Sequence, residues 1–319
     1  MVTIKEVAKY AGVSVASVSR YINATGYVGK ETGEKIAQAI AELEYVPNEV
    51  ARSLFQKKSK FIGVILPDIA NPYFPLLAKG IEETLIKNGY MMLLANTSDS
   101  EQQLTQYLTT FIQNNVSGII TALPIKPLNN MAVIGVDRVY DEQISRVLPD
   151  DYLGGRLVGE EIRQTAFQKI LIITGDLAFK SAQKRLDGML EALNKQTVHY
   201  EIYETTSFNV NEVETISDEF FEHYQDVDTV IASNDYLALK IMQKAQQKGI
   251  KIPEELQIIG YDGIPFSEMT FPKLTTIKQP VYAIGETAAQ LMMDILAGKQ
   301  TKVKELLLPV ELQKGESLR

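Results

Sequence analysis

Apolar positions at the N-terminal end of the chain recur at the spacing of an amphipathic helix. Four of them fall at i, i+3, i+4 and i+7 and so share one helix face: Ile4, Val7, Ala8 and Ala11. Thr3 can cap this helix, and Glu6 stands three residues later, where a capping box needs a carboxylate. Gly12 suits the left-handed end of the helix, and Ser14 can cap a second helix, "VASVSRYIN". The short turn between them is typical of a helix-turn-helix.

A third helical pattern follows in "YVGKETGEKIAQAIAELEYVPN". Its apolar stripe consists of Ile36, Ile40 and Leu43, and it ends before Pro47. The three short helices are expected to share one core.

The rest of the chain carries a different pattern, in which short apolar, β-branched runs end in polar residues. These runs are "FIGVILPD", "MMLLANTS", "SGIITAL", "MAVIGVD", "KILIITGD", "DTVIASND" and "LQIIGYDG", with helical patterns between most of them. This alternation predicts an α/β fold with doubly wound parallel sheets, in which ligands bind at the carboxyl ends of the strands. The polar residues at those ends are Asp68, Asp137, Asp176, Asn234, Asp235 and Asp262.

Length, charge and composition narrow the class of protein. With roughly 100–200 residues per domain, 319 residues predict two or three domains. Residues 1–60 hold seven Lys and two Arg against six Glu, a charge of +3, so the total of −8 leaves −11 for the remainder. Such asymmetry suggests a nucleic-acid-binding arm on an acidic body. The absence of cysteine, of a signal-peptide pattern and of a long apolar run predicts a cytoplasmic protein.

No catalytic pattern follows the predicted strands. The chain has no phosphate loop, no G-x-G-x-x-G fingerprint and no nucleophile elbow, and His199 and His223 have neither metal-ligand spacing nor a neighbouring nucleophile. We therefore predict no enzyme activity, no cofactor and no metal.

The second helix carries side chains that suit the major groove of DNA. Arg can bond guanine, small alkyl groups can touch a thymine methyl, and hydroxyls can hold phosphates. The helix presents these groups at Val15, Ala16, Ser17, Ser19 and Arg20. The alternative is a generic three-helix cap whose serines only cap and solvate.

The stretches "TIKEVAKYAGVSVASVSRYIN" and "YVPNEVARSL" resemble the LacI/GalR family of bacterial transcription regulators, and the resemblance continues through the whole chain. It implies DNA contacts at Thr3, Ser14, Val15, Ala16, Ser17, Ser19, Arg20, Asn23, Tyr27, Asn48, Ala51 and Leu54. In this family a hinge helix folds on operator DNA and inserts a leucine into the minor groove, which here is Leu54. Gly29 and Gly33 depart from the family pattern, and a slightly loosened third helix is expected.

The resemblance also implies a domain plan. Residues 1–47 form the helix-turn-helix domain, 48–60 the hinge helix and linker, and 61–319 a core similar to periplasmic binding proteins. Within that core, the N-subdomain takes residues of about 61–162 and 280–300, and the C-subdomain takes 163–279 and 301–319.

The ribose-binding branch of this fold supplies a set of expected sugar ligands. Matched residue by residue, they are Asn71, Tyr73, Phe74, Asp137, Arg138, Arg185, Phe208, Asn234, Asp262 and Gln279. Such groups suit a sugar, because carboxylate, amide and guanidinium groups bond its hydroxyls while aromatic rings cover its C–H faces. Asp151 and Ser181 rank below them.

These expectations predict a homodimeric repressor of a sugar-utilisation operon that binds a pseudo-palindromic operator and is relieved by a small sugar, with ribose first. The alternatives are a sucrose- or fructose-responsive repressor of the same family, or a sugar-binding protein without DNA regulation. The identity of the effector and the sign of its action stay open.

Overall fold

The structure is a computed structural model of the chain, and it describes residues 2–23, 25–46, 59–128, 131–205, 212–300 and 302–319. The chain divides into two compact units, residues 1–59 and 60–319. None of the described helices has the length and apolar character to cross a membrane.

The N-terminal unit contains three helices: α1 (Ile4–Ala11), α2 (Val15–Asn23) and α3 (Lys30–Glu42). The predicted capping box is present, because the Thr3 side chain accepts the Glu6 N–H while the Glu6 carboxylate accepts the Thr3 N–H at 2.7 Å. Gly12 ends α1 in the left-handed conformation, with φ of 65°. The shared core consists of Val7, Ala8, Val18, Ile36 and Ala39.

The third helix runs unbroken despite its two glycines. Gly29 offers no side-chain cap to α3, as expected. Gly33, however, is buried, and a Cβ there would lie 3.2 Å from Cε2 of Tyr21 on α2. The close approach of α2 and α3 therefore explains Gly33 better than a loosened helix does.

The second unit is built on twelve strands and seven α-helices within the described residues. The strands are β1 (Phe61–Leu66), β2 (Met91–Asn96), β3 (Gly118–Thr121), β4 (Ala132–Val136), β5 (Ser145–Pro149), β6 (Ile170–Thr174), β7 (Tyr200–Glu204), β8 (Thr229–Ile231), β9 (Gln257–Asp262), β10 (Thr275–Lys278), β11 (Glu305–Leu308) and β12 (Glu311–Gln313). The helices are α4 (Tyr73–Lys87), α5 (Glu101–Gln113), α6 (Asp151–Ile162), α7 (Lys180–Leu193), α8 (Val213–His223), α9 (Asp235–Gln247) and α10 (Val281–Leu296), and a 3-10 turn spans Pro265–Glu268.

The strands form two six-stranded sheets with the same order. The first is β11-β5-β4-β3-β1-β2, all parallel, and the second is β12-β10-β9-β8-β6-β7, parallel except for β12. Side chains alternate between the faces of β1: Ile62 and Val64 share a core with α4 and α10, whereas Ile65 packs with Phe111 of α5. Helices thus cover both faces, and the predicted doubly wound α/β class is confirmed.

We call the elements on the first sheet the first lobe (residues 60–149 and 281–308) and those on the second sheet the second lobe (151–278 and 311–319). The chain crosses between them near Asp150, at Gln279 and between β11 and β12.

Two of these crossings differ from the sequence analysis, which placed them near residues 162 and 300. Helix α6 belongs to the second lobe, because its Val158 and Ile162 are buried in one core with Ile170 of β6. Strand β11 extends the first sheet by pairing with β5. Both differences arise from long-range packing that the local pattern does not encode.

Candidate functional site

A small cavity lies between the carboxyl ends of the two sheets. Its lining residues are Asn71, Tyr73, Phe74, Asp137, Arg138, Ser181, Arg185, Asn234 and Asp262. Eight of these are among the ten side chains expected from the ribose pattern, and the ninth is Ser181, which was ranked lower. Gln279 contacts the lining residue Asp262, whereas Phe208 lies outside the described residues. The cavity has a volume of about 30 Å³, room for about two water molecules.

The first lobe supplies an aromatic wall. Asn71 lies just before α4, and its Oδ1 accepts the Tyr73 N–H at 3.0 Å. The Tyr73 and Phe74 rings meet edge to face, with centroids 5.1 Å apart and planes at 79°. This amide beside two buried rings offers one polar and one apolar surface to a ligand.

The first lobe also supplies a charged pair at the end of β4. Asp137 adopts a left-handed conformation, with φ of 58°. Its Oδ2 lies 3.6 Å from Nε of Arg138, whose Nη1 lies 3.7 Å from Oδ1 of Asp99. The Arg138 guanidinium also sits 5.1 Å from the ring centroid of Phe179 in the second lobe. Arg138 therefore contacts both lobes.

The second lobe places a buried guanidinium in the cavity wall. Nε of Arg185 donates to Oδ1 of Asp151 at 2.7 Å, and the guanidinium lies 3.9 Å from the Tyr261 ring centroid. Burial acts to lower the pKa of Arg185. The Asp151 carboxylate is the main group that raises this pKa, and the net result lies well above the ordinary value for arginine. Asp151 does not line the cavity; it lies behind Arg185.

A hydrogen-bonded pair at the crossing point lies beside the cavity. Nε2 of Gln279 donates to Oδ1 of Asp262 at 2.7 Å, and the Tyr73 hydroxyl lies 3.5 Å from Oε1 of Gln279. Burial raises the pKa of Asp262, while Arg185 acts in the opposite direction. Asn234 caps α9, where its Oδ1 accepts the Leu237 N–H at 2.8 Å.

Three of the polar strand ends singled out in the sequence do not face the cavity. Asp68 and Asp176 follow the equivalent strands β1 and β6, and each caps a turn by accepting the N–H two residues later, at 2.9 and 2.7 Å. Asp235 is fully buried and accepts from the Thr276 hydroxyl and the Ile264 N–H. Asp68 and Asp176 thus stabilise local turns, whereas Asp235 joins the start of α9 to β10 and to the turn after β9.

The sequence analysis missed the aromatic groups around Arg185. Tyr140 and Tyr261 both lie next to the Arg185–Asp151 pair. Tyr261 was part of a predicted strand, but no local signal shows that its ring lies under a guanidinium.

In the N-terminal unit, the predicted recognition helix presents an exposed surface. Ser14 caps α2 by accepting the Ser17 N–H at 3.1 Å, and Val15, Ala16 and Arg20 are exposed. Tyr27 is 92% exposed. Ser17 and Ser19 are half-buried, Asn23 donates to the Ser19 carbonyl at 2.9 Å, and Thr3 serves in the capping box. Asn48, Ala51 and Leu54 lie outside the described residues, as does most of the predicted hinge and linker.

Two protein families match different parts of the chain. Residues 3–48 match bacterial regulatory proteins of the lacI family, and residues 160–318 match the periplasmic binding protein-like domain. The ribose operon repressor of Bacillus subtilis (strain 168) is 41% identical over 315 residues, which cover 97% of this chain and 96% of that protein. The chain belongs to the lacI family of bacterial regulatory proteins. The resemblance noted in the sequence is confirmed.

Solved structures of the lacI family share the fold. A lac repressor dimer bound to operator and an anti-inducer has a TM-score of 0.85 at 26% identity, covering 99% of this chain and 98% of that one. A LacI family regulator from Enterococcus faecium with bound ribose has a TM-score of 0.72 at 30% identity, covering 81% and 98%.

Proposed function

We propose that this lacI-family chain is a DNA-binding transcriptional repressor of a sugar-utilisation operon, and that a small sugar, first of all ribose, relieves repression by binding between the lobes. The observation that carries the proposal is the cavity itself, where carboxylate, amide and guanidinium groups surround the buried Tyr73 and Phe74 rings. That combination suits a neutral polyhydroxylated ring.

The size of the cavity supports a motion of the lobes. A volume of about 30 Å³ is small for a monosaccharide, so we expect the lobes to open when a sugar enters and to close again around it. The polar groups meanwhile satisfy one another, as Asp262 and Gln279 do at 2.7 Å. A bound sugar would take over such bonds and hold the lobes in one arrangement.

DNA binding in the proposal rests on the exposed face of α2 and on family membership. Two chains would pair so that two recognition helices read the halves of a pseudo-palindromic operator. A sugar that favours a lobe arrangement unsuited to this dimer weakens operator binding, and the operator weakens sugar binding by the same factor. The predicted hinge contacts at Asn48, Ala51 and Leu54 belong to this proposal, and so do a cytoplasmic location and the absence of enzyme activity.

The first experiment is sugar binding by calorimetry and thermal unfolding, with ribose, fructose, sucrose and glucose as ligands. At 100 times its dissociation constant, a ligand adds about 2.7 kcal/mol to the free energy of unfolding. Asp137→Asn removes a cavity carboxylate and should weaken ribose binding about tenfold or more. Glu142→Gln, an exposed carboxylate in the same loop region, is the matched control. A stronger response to sucrose or fructose than to ribose would favour a different effector.

The second experiment measures DNA binding on a duplex that the wild-type protein selects from random sequences. Arg20→Ala should weaken binding by about 1–3 kcal/mol, roughly 5- to 150-fold, if Arg20 bonds a base. Lys35→Ala, which removes an exposed cation paired with Glu31 on α3, should change it little. A protein that binds sugar but selects no DNA sequence would instead be a sugar-binding protein without DNA regulation.

A further inference from the structure

A buried carboxylate behind the cavity receives two hydrogen bonds. The side chain of Asp151 is fully buried; its Oδ1 accepts from Nε of Arg185 at 2.7 Å, and its Oδ2 accepts from the Tyr140 hydroxyl at 2.6 Å. Burial raises the pKa of Asp151, while Arg185 and Tyr140 act in the opposite direction. The two donors therefore compensate a charge that water cannot reach.

The three groups come from both lobes. Tyr140 lies between β4 and β5 of the first lobe, whereas Asp151 begins α6 and Arg185 lies on α7 in the second lobe. A second contact holds Tyr140 in the same place, because the Lys184 ammonium of α7 lies 4.8 Å from the centroid of its ring. Separation of the lobes would take Tyr140 away from Asp151.

Arg185 is held on two sides and lines the cavity on a third. Nε of Arg185 is bonded to Asp151 and the Tyr261 ring lies under the guanidinium at 3.9 Å, while Arg185 is also one of the residues that line the cavity. An arginine fixed in this way loses less side-chain entropy when it bonds a ligand. The orientation of Asp151 thus sets the orientation of Arg185.

We propose that Tyr140 is a positioning residue for the effector site: its hydroxyl, which reaches Asp151 when the lobes close, orients that carboxylate and through it the guanidinium of Arg185 toward a sugar hydroxyl. The proposal rests on the proposed function, because it takes a sugar as the ligand of Arg185. Tyr140 itself does not line the cavity.

A simple latch between the lobes makes a different prediction. A latch stabilises the closed arrangement whatever Arg185 does, so its removal weakens sugar binding equally with or without Arg185. A positioning residue acts only through Arg185, so its removal has no further effect once Arg185 is changed. A double-mutant cycle separates the two.

The experiment measures the dissociation constant of ribose for wild type, Tyr140→Phe, Arg185→Lys and the double variant. Tyr140→Phe keeps the ring under Lys184 and removes only the hydroxyl. Its loss should weaken ribose binding about tenfold, the usual scale for one hydrogen bond to a charged group. In the Arg185→Lys background the same change should weaken binding less than about threefold. The control is Tyr203→Phe, which removes a tyrosine–carboxylate bond to Glu219 on the outer part of the second lobe.

The outcomes are distinct. If Tyr140→Phe weakens ribose binding as much in the Arg185→Lys background as in wild type, Tyr140 is a latch and the positioning role is overturned. If Tyr140→Phe binds ribose like wild type, the positioning role is overturned as well. If Arg185→Lys fails to fold, Arg185→Met replaces it in the cycle. If the wild-type protein binds none of the sugars, the proposed function and the role of Tyr140 both fall, because Arg185 then has no sugar hydroxyl to meet.

Discussion

The packing of α6 against α7 offers a test of how closely the cavity depends on its scaffold. Gly155 of α6 lies against the backbone of Arg185, and a Cβ added there would stand 1.9 Å from the Arg185 carbonyl oxygen. Ordinary contact begins at 3.4 Å, so Gly155→Ala forces the Arg185 backbone back by about 1.5 Å. One turn along, Gly159→Ala would stand 2.6 Å from the Met189 carbonyl oxygen and force a retreat of about 0.8 Å.

Both changes should lower the free energy of unfolding, but only one should displace the cavity wall. Overpacking costs about 1–3 kcal/mol, while replacing Gly with Ala in a helix gains about 1 kcal/mol. The net loss should reach about 2 kcal/mol for Gly155→Ala and be smaller for Gly159→Ala. A guanidinium displaced by about 1.5 Å loses its bond to a sugar hydroxyl, so Gly155→Ala should weaken ribose binding about 10- to 100-fold.

The assay combines thermal unfolding with ribose titration of both variants. We expect Gly159→Ala to bind ribose within about threefold of wild type, because its closest contact is one turn away from Arg185 and requires about half the displacement. If the two variants weaken ribose binding equally, the α6–α7 contact acts only on global stability and the reasoning about Arg185 is refuted. Unchanged ribose binding in Gly155→Ala would refute it as well.

Three further outcomes follow from the described contacts. Thr3→Ala should destabilise the N-terminal unit by about 1 kcal/mol, measured by thermal unfolding, since α1 loses its capping side chain. Hydrogen bonds from Thr3 lower the pKa of Glu6, so this unit should also lose helical circular dichroism signal as the pH falls, and Glu6→Gln should remove that pH dependence. Gly33→Ala should change stability by less than about 1 kcal/mol, because a gain in helix propensity opposes the 3.2 Å contact with Tyr21; a large loss would show that the Tyr21 ring cannot shift. Burial raises the pKa of Asp235 to about 7 from 3.8, so between these pH values the native state binds more protons than the unfolded state. The free energy of unfolding should therefore fall as pH rises from about 4 to about 7. Denaturant unfolding of Asp235→Asn should lack this pH dependence, and an unchanged dependence would assign it to another group.

The sequence predicted the helices and buried strands well where local pattern and burial agree. The capping box of Thr3 and the seven apolar runs quoted in the sequence analysis are present as expected. Strands β5, β7, β10, β11 and β12 were not predicted. Several of these carry alternating polar residues or lie at sheet edges, so they lack the continuous apolar run of a buried parallel strand.

The sequence by itself determined the type of each main element, the family, and the set of polar residues from which a site could be built. Periodicity, capping residues and β-branched runs act over a few neighbouring residues, so they can be read locally. Tertiary structure alone decided which strand ends face the cavity: Asp137 and Asp262 line it, whereas Asp235 turns inward to Thr276. It also decided that Asp151 stands behind Arg185, because that depends on where the chain crosses between the lobes and on how closely the glycines of α6 let α7 approach.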